Sequence, residues 1–117
     1  MARTVLIVDD HSGFRASARR MLEAGGFEVA GEAADGAGAR RACVELRPDV
    51  VLLDVQLPDA DGLELAGELT ADERAPAVVL TSSRSAEELG NGLESSAARG
   101  FVPKDELTAA SVQELLP

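Results

Sequence analysis

Apolar and polar positions alternate along this chain in two distinct rhythms. Thr4–Val8 reads TVLIV, residues 50–53 read VVLL and residues 77–80 read AVVL. Each run is short, continuous and rich in β-branched residues, as strands buried on both faces of a parallel sheet require. Two weaker runs resemble edge strands. Residues 27–30 (FEVA) alternate, and Phe101-Val102 ends at Pro103, where a missing N–H is best tolerated at a sheet edge.

Helical spacing fills the intervals. Phe14, Ala18, Met21 and Leu22 recur on one face, and Gly25-Gly26 stops the run. Residues 37–46 form an Ala/Arg/Glu-rich pattern that ends before Pro48, and Leu63, Leu65, Ala66 and Leu69 follow Gly62. Residues 85–98 make a poorer helix. Gly90 and Gly92 lie inside it, each costing about 1 kcal/mol relative to Ala, which predicts a short element. A last helix is expected over 106–116. Strand and helix thus alternate five times, predicting an α/β fold with a parallel sheet covered on both faces, in one domain of residues 1–117.

Composition narrows the function. Eleven basic residues face 21 acidic ones, a formal charge of −10, which argues against direct nucleic-acid binding by this domain. Three phenylalanines with no Trp or Tyr leave little for base stacking. The acidity is uneven: residues 1–58 hold 9 acids and 7 bases, residues 59–117 hold 12 and 4. One Cys and one His exclude a disulfide framework and a zinc site built of Cys and His alone. No apolar run approaches the roughly 20 residues of a membrane span, and no signal-peptide pattern opens the chain, so a cytoplasmic location is expected with Cys43 reduced on the second helix.

Ligands of open parallel sheets bind beyond the carboxyl ends of the strands. Asp9-Asp10-His11 follows the first strand, Asp54 the third, Thr81-Ser82-Ser83 the fourth and Lys104 the fifth. Three carboxylates, a hydroxyl and an ammonium are therefore expected on one rim. Crowded carboxylates repel one another unless protonated or bound to a cation, and an oxygen donor set suits a hard ion such as Mg²⁺. Metal, lysine and hydroxyl together would stabilise a phosphoryl group in transfer, with an aspartate as acceptor. Lys104 is the sole lysine beside ten arginines, and a compact point charge is not replaced by the arginine fork. His11 reads as a capping or surface residue.

Val8-Asp9-Asp10-His11, the segment from Leu53 through Asp54, Gln56 and Pro58 to Asp61-Gly62, Leu80-Thr81-Ser82, and Gly100-Phe101-Val102-Pro103-Lys104 occur in this order over essentially the whole chain. In these residues the sequence resembles the receiver domains of bacterial two-component response regulators, of the type that carries a C-terminal helix-turn-helix. The resemblance implies a flavodoxin-like three-layer sandwich, with a five-stranded parallel sheet in the order 2-1-3-4-5 and five helices. It implies a phosphorelay domain rather than a turnover enzyme. Asp54 would be phosphorylated by a histidine kinase or phosphotransfer protein. Asp9, Asp10, Asp54 and the Gln56 carbonyl would hold Mg²⁺, Lys104 would pair with the phosphoryl group, and Thr81 and Phe101 would switch. Gln56 and Ser83 would tune the phosphoryl lifetime. The helix 4, strand 5 and helix 5 face would act on an output domain or partner protein, controlling transcription, or form a phosphorylation-dependent homodimer.

Three other readings compete. A degenerate receiver would act as an interaction module without phosphorylation. An aspartate-nucleophile phosphohydrolase needs a second Asp two residues after the first, where this chain has Gln56 and His11. A flavin site needs a phosphate-cradling loop after strand 1, which is missing from the sequence. One departure from the resemblance concerns geometry: Asp105 follows Lys104 where receivers carry proline, and Pro103 precedes it.

Overall fold

The computed structural model describes residues 2–72, 74–93 and 96–117. Five strands, β1 (Thr4–Val8), β2 (Glu28–Ala33), β3 (Val50–Asp54), β4 (Ala77–Ser82) and β5 (Gly100–Pro103), alternate with α1 (Ser12–Ala24), α2 (Gly36–Leu46), α3 (Gly62–Leu69), α4 (Ala86–Leu89) and α5 (Ala109–Glu114). All pairings are parallel, in the order β2-β1-β3-β4-β5, so the expected flavodoxin-like topology holds.

Strand periodicity builds two cores. Val5, Ile7, Val50, Leu52, Val79 and Val102 point to one face and pack with Ala18 and Leu22 of α1 and Val112 of α5. Leu6, Val8, Val51, Leu53, Val78 and Leu80 point to the other, against Ala39 of α2 and Leu65 and Ala66 of α3. That is why the central strands are continuously apolar: each face buries every second residue. Leu6, Ile7, Leu52 and Leu53 are wholly enclosed, and truncating any of them to Ala costs about 2–5 kcal/mol.

Several boundaries differ from the sequence expectation. β2 starts at Glu28 and runs to Ala33, past the expected end at residue 30. A bulge explains the miss: Val5 pairs with Val29 but Leu6 with Gly31, so Ala30 is extra and the alternation breaks. A Cβ on Gly31 would lie 2.8 Å from Leu46 Cδ1, so the glycine lets the end of α2 settle on the strand. α4 is a single turn continued by a 3₁₀ turn at Gly90–Leu93, short as expected from its glycines; residues 94 and 95 of the expected helix lie outside the described residues. α5 begins at Ala109 rather than residue 106. Lys104–Glu106 form a separate 3₁₀ turn, and Thr108 caps α5 through a reciprocal pair with Ser111.

Candidate functional site

The sheet reverses its winding between β1 and β3, and the crevice there is the favoured ligand position. Asp9 follows β1 and Asp54 ends β3, both almost fully buried. Asp10 sits beside them at the rim, 39% exposed. Lys104, in the turn after β5, reaches across β4. Its ammonium lies 2.6 Å from Asp9 Oδ2 and 3.5 Å from Asp54 Oδ2. The closer contact is an ion pair, and apart from it the buried Asp9 Oδ2 has no hydrogen-bond partner among the described residues. The aromatic ring of Phe14 supports the same ammonium from below, 4.4 Å from centroid to Nζ.

Backbone groups orient the acids. Asp9 Oδ1 accepts the His11 N–H at 2.9 Å, and Asp54 Oδ1 accepts the Gln56 N–H at 3.1 Å. Arg15 donates to the Asp9 carbonyl at 2.6 Å and, with Arg19, grips Glu32 on β2, tying α1 to the sheet behind the site. The loop after β3 is folded tightly. Gly62 N donates to Val55 O at 2.7 Å and Leu57 N to Ala60 O at 3.2 Å, around a bridge between Gln56 and Asp61. A Cβ on Gly62 would overlap the Asp54 carbonyl and fall 2.6 Å from Val55 Cα, so only glycine permits this approach. Asp61 then caps α3 through Leu63 N. Asp59, on the same loop, accepts from Gly36 N and Ala37 N at the start of α2, which pins the loop to a neighbouring helix and lowers the Asp59 pKa, the Gly36 N–H contributing most.

The electrostatics separate the two buried acids. Burial raises the pKa of Asp54 to about 6, with the charge of Asp9 adding to the rise and the Gln56 N–H and Lys104 opposing it. Burial also works against ionisation of Asp9, but Lys104 and the His11 N–H outweigh it and hold Asp9 below its ordinary value. Asp9 is thus the standing carboxylate of the pair and Asp54 the more readily protonated one.

Other expected site residues are distributed as follows. Thr81 pairs in register with Asp54, but its buried hydroxyl donates to Val102 O at 2.7 Å, facing β5 rather than the acids. Phe101 is half-buried beside Leu80 on the α3–α4 side of the sheet. Gln56 and Ser83 are exposed, and Cys43 is half-buried on α2, where burial pushes its thiol pKa up. His11 was expected to be peripheral. Its side chain is 72% exposed, yet Nδ1 lies 3.2 Å from Asp9 Oδ1 and 3.1 Å from Asp10 Oδ1. One ligand atom each from Asp9, Asp10, His11 and Asp54 falls within 4.8 Å of the others, the one such grouping among the described residues. Phe14 and Asp59 were also missed, since neither ring–ammonium stacking nor a helix cap from a distant loop leaves a local pattern. Among the described residues no helix is long and apolar enough to cross a membrane.

Comparisons with known proteins agree with this arrangement. Residues 5–115 match the family described as the response regulator receiver domain. The transcriptional regulatory protein PrrA of Mycobacterium tuberculosis is 44% identical over 94 residues, covering 80% of this chain and 40% of PrrA. The chain spans less than half the length of such curated relatives. The signal receiver domain of the response regulator NarL from M. tuberculosis superposes with a TM-score of 0.87 at 32% identity, covering 97% of this chain and 94% of that one. CheY in the CheX–CheY–BeF3–Mg²⁺ complex from Borrelia burgdorferi gives a TM-score of 0.82 at 26% identity, with 97% and 85% covered. With its parallel sheet, its acidic pocket at the β1–β3 crevice and its lysine beyond β5, the chain belongs to the response regulator receiver domains, a family of signalling modules rather than conventional enzymes.

Proposed function

We propose that residues 1–117 act as a cytoplasmic phosphoacceptor receiver in two-component signalling, with Asp54 taking a phosphoryl group from the phosphohistidine of a histidine kinase or phosphotransfer protein. The observation that carries this reading is the position of Asp54, shielded at the end of β3 between a second buried carboxylate and the only lysine of the chain. A carboxylate oxygen of Asp54 bonds to phosphorus as the donor's P–N bond breaks, and the imidazole leaves as a neutral ring by keeping the proton on its other nitrogen or taking one from solvent. Lys104, held by Phe14 and Asp9, pairs with the phosphoryl oxygens.

The donor set fits Mg²⁺. Asp9, Asp10 and Asp54 converge, Asp9 Oδ2 is balanced by the Lys104 ammonium with no other hydrogen-bond partner among the described residues, and oxygen ligands dominate. In the Gln56–Asp61 bridge the neighbouring residues make the ladder bonds, so both backbone groups of Gln56 face outward. Its N–H meets Asp54, which supports its carbonyl as a further ligand. When bound, Mg²⁺ offsets the mutual repulsion of the acids and draws charge from phosphoryl oxygens.

Phosphorylation adds about −1.5 to −2 charges at Asp54. Thr81 then leaves Val102 for the phosphoryl group, Phe101 repacks beside it, and the face formed by α4, β5 and α5 acts on an output domain or partner protein, or pairs with a second copy. The likeness to PrrA supports transcription as the output. Acetyl phosphate with Mg²⁺ tests the core of this reading by intact-mass spectrometry. The phosphoryl adduct is expected on the wild-type chain and absent after Asp54→Asn or chelation; an adduct that persists in Asp54→Asn overturns it.

A further inference from the structure

His11 has no part in the phosphoacceptor scheme, yet it is built into the acid cluster. Its backbone N–H is fixed to Asp9 Oδ1 at 2.9 Å, and its carbonyl accepts Arg15 N at 3.1 Å as α1 begins. Only the side-chain torsions remain free. The ring uses them to bring Nδ1 to the point where Asp9 Oδ1 and Asp10 Oδ1 converge. Nδ1 shares a hydrogen bond with Asp9 Oδ1 and lies against Asp10 Oδ1, in the space their negative charge favours for a cation. Beside it lies the buried Asp9 Oδ2, whose partner is the Lys104 ammonium.

We propose that His11 is itself a ligand of this site, giving one ring nitrogen to a divalent cation held by Asp9, Asp10 and Asp54, and that it tunes the site toward borderline first-row transition ions such as Co²⁺, Ni²⁺ or Zn²⁺. This rests on the cation site described under the proposed function and extends it to the choice of metal. Mg²⁺ is hard, prefers an oxygen shell and gains little from imidazole, whereas nickel and zinc bind imidazole well. The required change is small. Nδ1 already touches the carboxylates of Asp9 and Asp10, and Asp54 completes the set of ligand atoms within reach. Nδ1 becomes a ligand without leaving the cluster. His11 is therefore a determinant of metal specificity at the acceptor site.

Calorimetric titration of the untagged chain at pH 7.5 with Mg²⁺, Co²⁺ and Ni²⁺ tests the inference. His11→Ala is expected to weaken Co²⁺ and Ni²⁺ binding by about tenfold or more and to leave Mg²⁺ binding within roughly twofold. His11 is the chain's sole histidine, so its imidazole ¹⁵N signals are assigned without ambiguity; they should move on addition of Zn²⁺ and stay in place with Mg²⁺. Equal losses for Mg²⁺ and Ni²⁺, or an imidazole unmoved while the wild-type chain binds Zn²⁺, overturn the role of His11 and leave the cation site standing. A wild-type chain that binds none of these ions overturns both.

Discussion

The Lys104 ammonium rests 2.6 Å from Asp9 Oδ2, closer than its 3.5 Å to the Asp54 carboxylate that it would serve in phosphoryl transfer. The two acids therefore compete for one cation, and Asp9 holds it. Burial raises the Asp54 pKa to about 6, and the Asp9 charge adds to it. Asp9→Asn removes that charge and frees Lys104, and both changes favour ionised Asp54. In the cation-free protein the carboxyl titration of Asp54, followed by ¹³C NMR, should move below its wild-type midpoint. An unchanged midpoint would show that desolvation alone sets it.

The same rise in pKa has a stability consequence with a definite sign. A carboxyl group whose folded pKa is raised above the ordinary 3.8 favours folding when protonated. Stability from this source is complete below pH 3.8 and is lost as pH climbs through about 6. Asp54→Asn keeps the shape without the charge, so without divalent cations it should stabilise the fold at pH 7 by roughly 1–3 kcal/mol and by little at pH 4. Urea unfolding at the two values measures the difference.

Phe14 is placed to be more than a core residue. A cation over an aromatic face gains about 0.5–1 kcal/mol when partly exposed. A double-mutant cycle of Phe14→Leu with Lys104→Met should return a coupling energy of about that size. Phe14→Tyr should retain it. Zero coupling would reduce the ring to packing alone.

Gly62 and Gly67 both lie on α3 and should respond oppositely to alanine. At Gly62 a Cβ meets the Asp54 carbonyl and Val55 backbone, which cannot rotate away, so Gly62→Ala should cost roughly 2–4 kcal/mol. At Gly67 nothing lies within 4 Å, and Gly67→Ala should be stabilising by up to about 1 kcal/mol. Chemical-denaturation midpoints separate the two.

The core was legible in the sequence because burial on both faces leaves strand interiors no polar positions, as in residues 50–53 and 5–8. The acids and the lysine were legible because each directly follows such a strand. What escaped depends on packing between distant segments. The strand expected over residues 27–30 stops short of Gly31-Glu32, yet β2 runs through them past a bulge at Ala30, with Glu32 gripped by Arg15 and Arg19. The start of α5 could have been found, since Thr108 and Ser111 carry a capping pair at the right spacing. The second grip on the β3–α3 loop could not: Asp59 caps a helix 22 and 23 residues upstream.

If Thr81 acts as the proposed switch, its hydrogen bond to the Val102 carbonyl sets the quiet level of the domain. Turning that hydroxyl toward Asp54 would give up a buried hydrogen bond with a net worth of about 0.5–1.5 kcal/mol. About 1.4 kcal/mol is a factor of ten in population, so thermal excursions of Thr81 into the site would stay in a minority of molecules. On that reading basal leakage would be written into one strand-to-strand contact, and sequence changes on β5 would raise or lower it without altering the acids themselves.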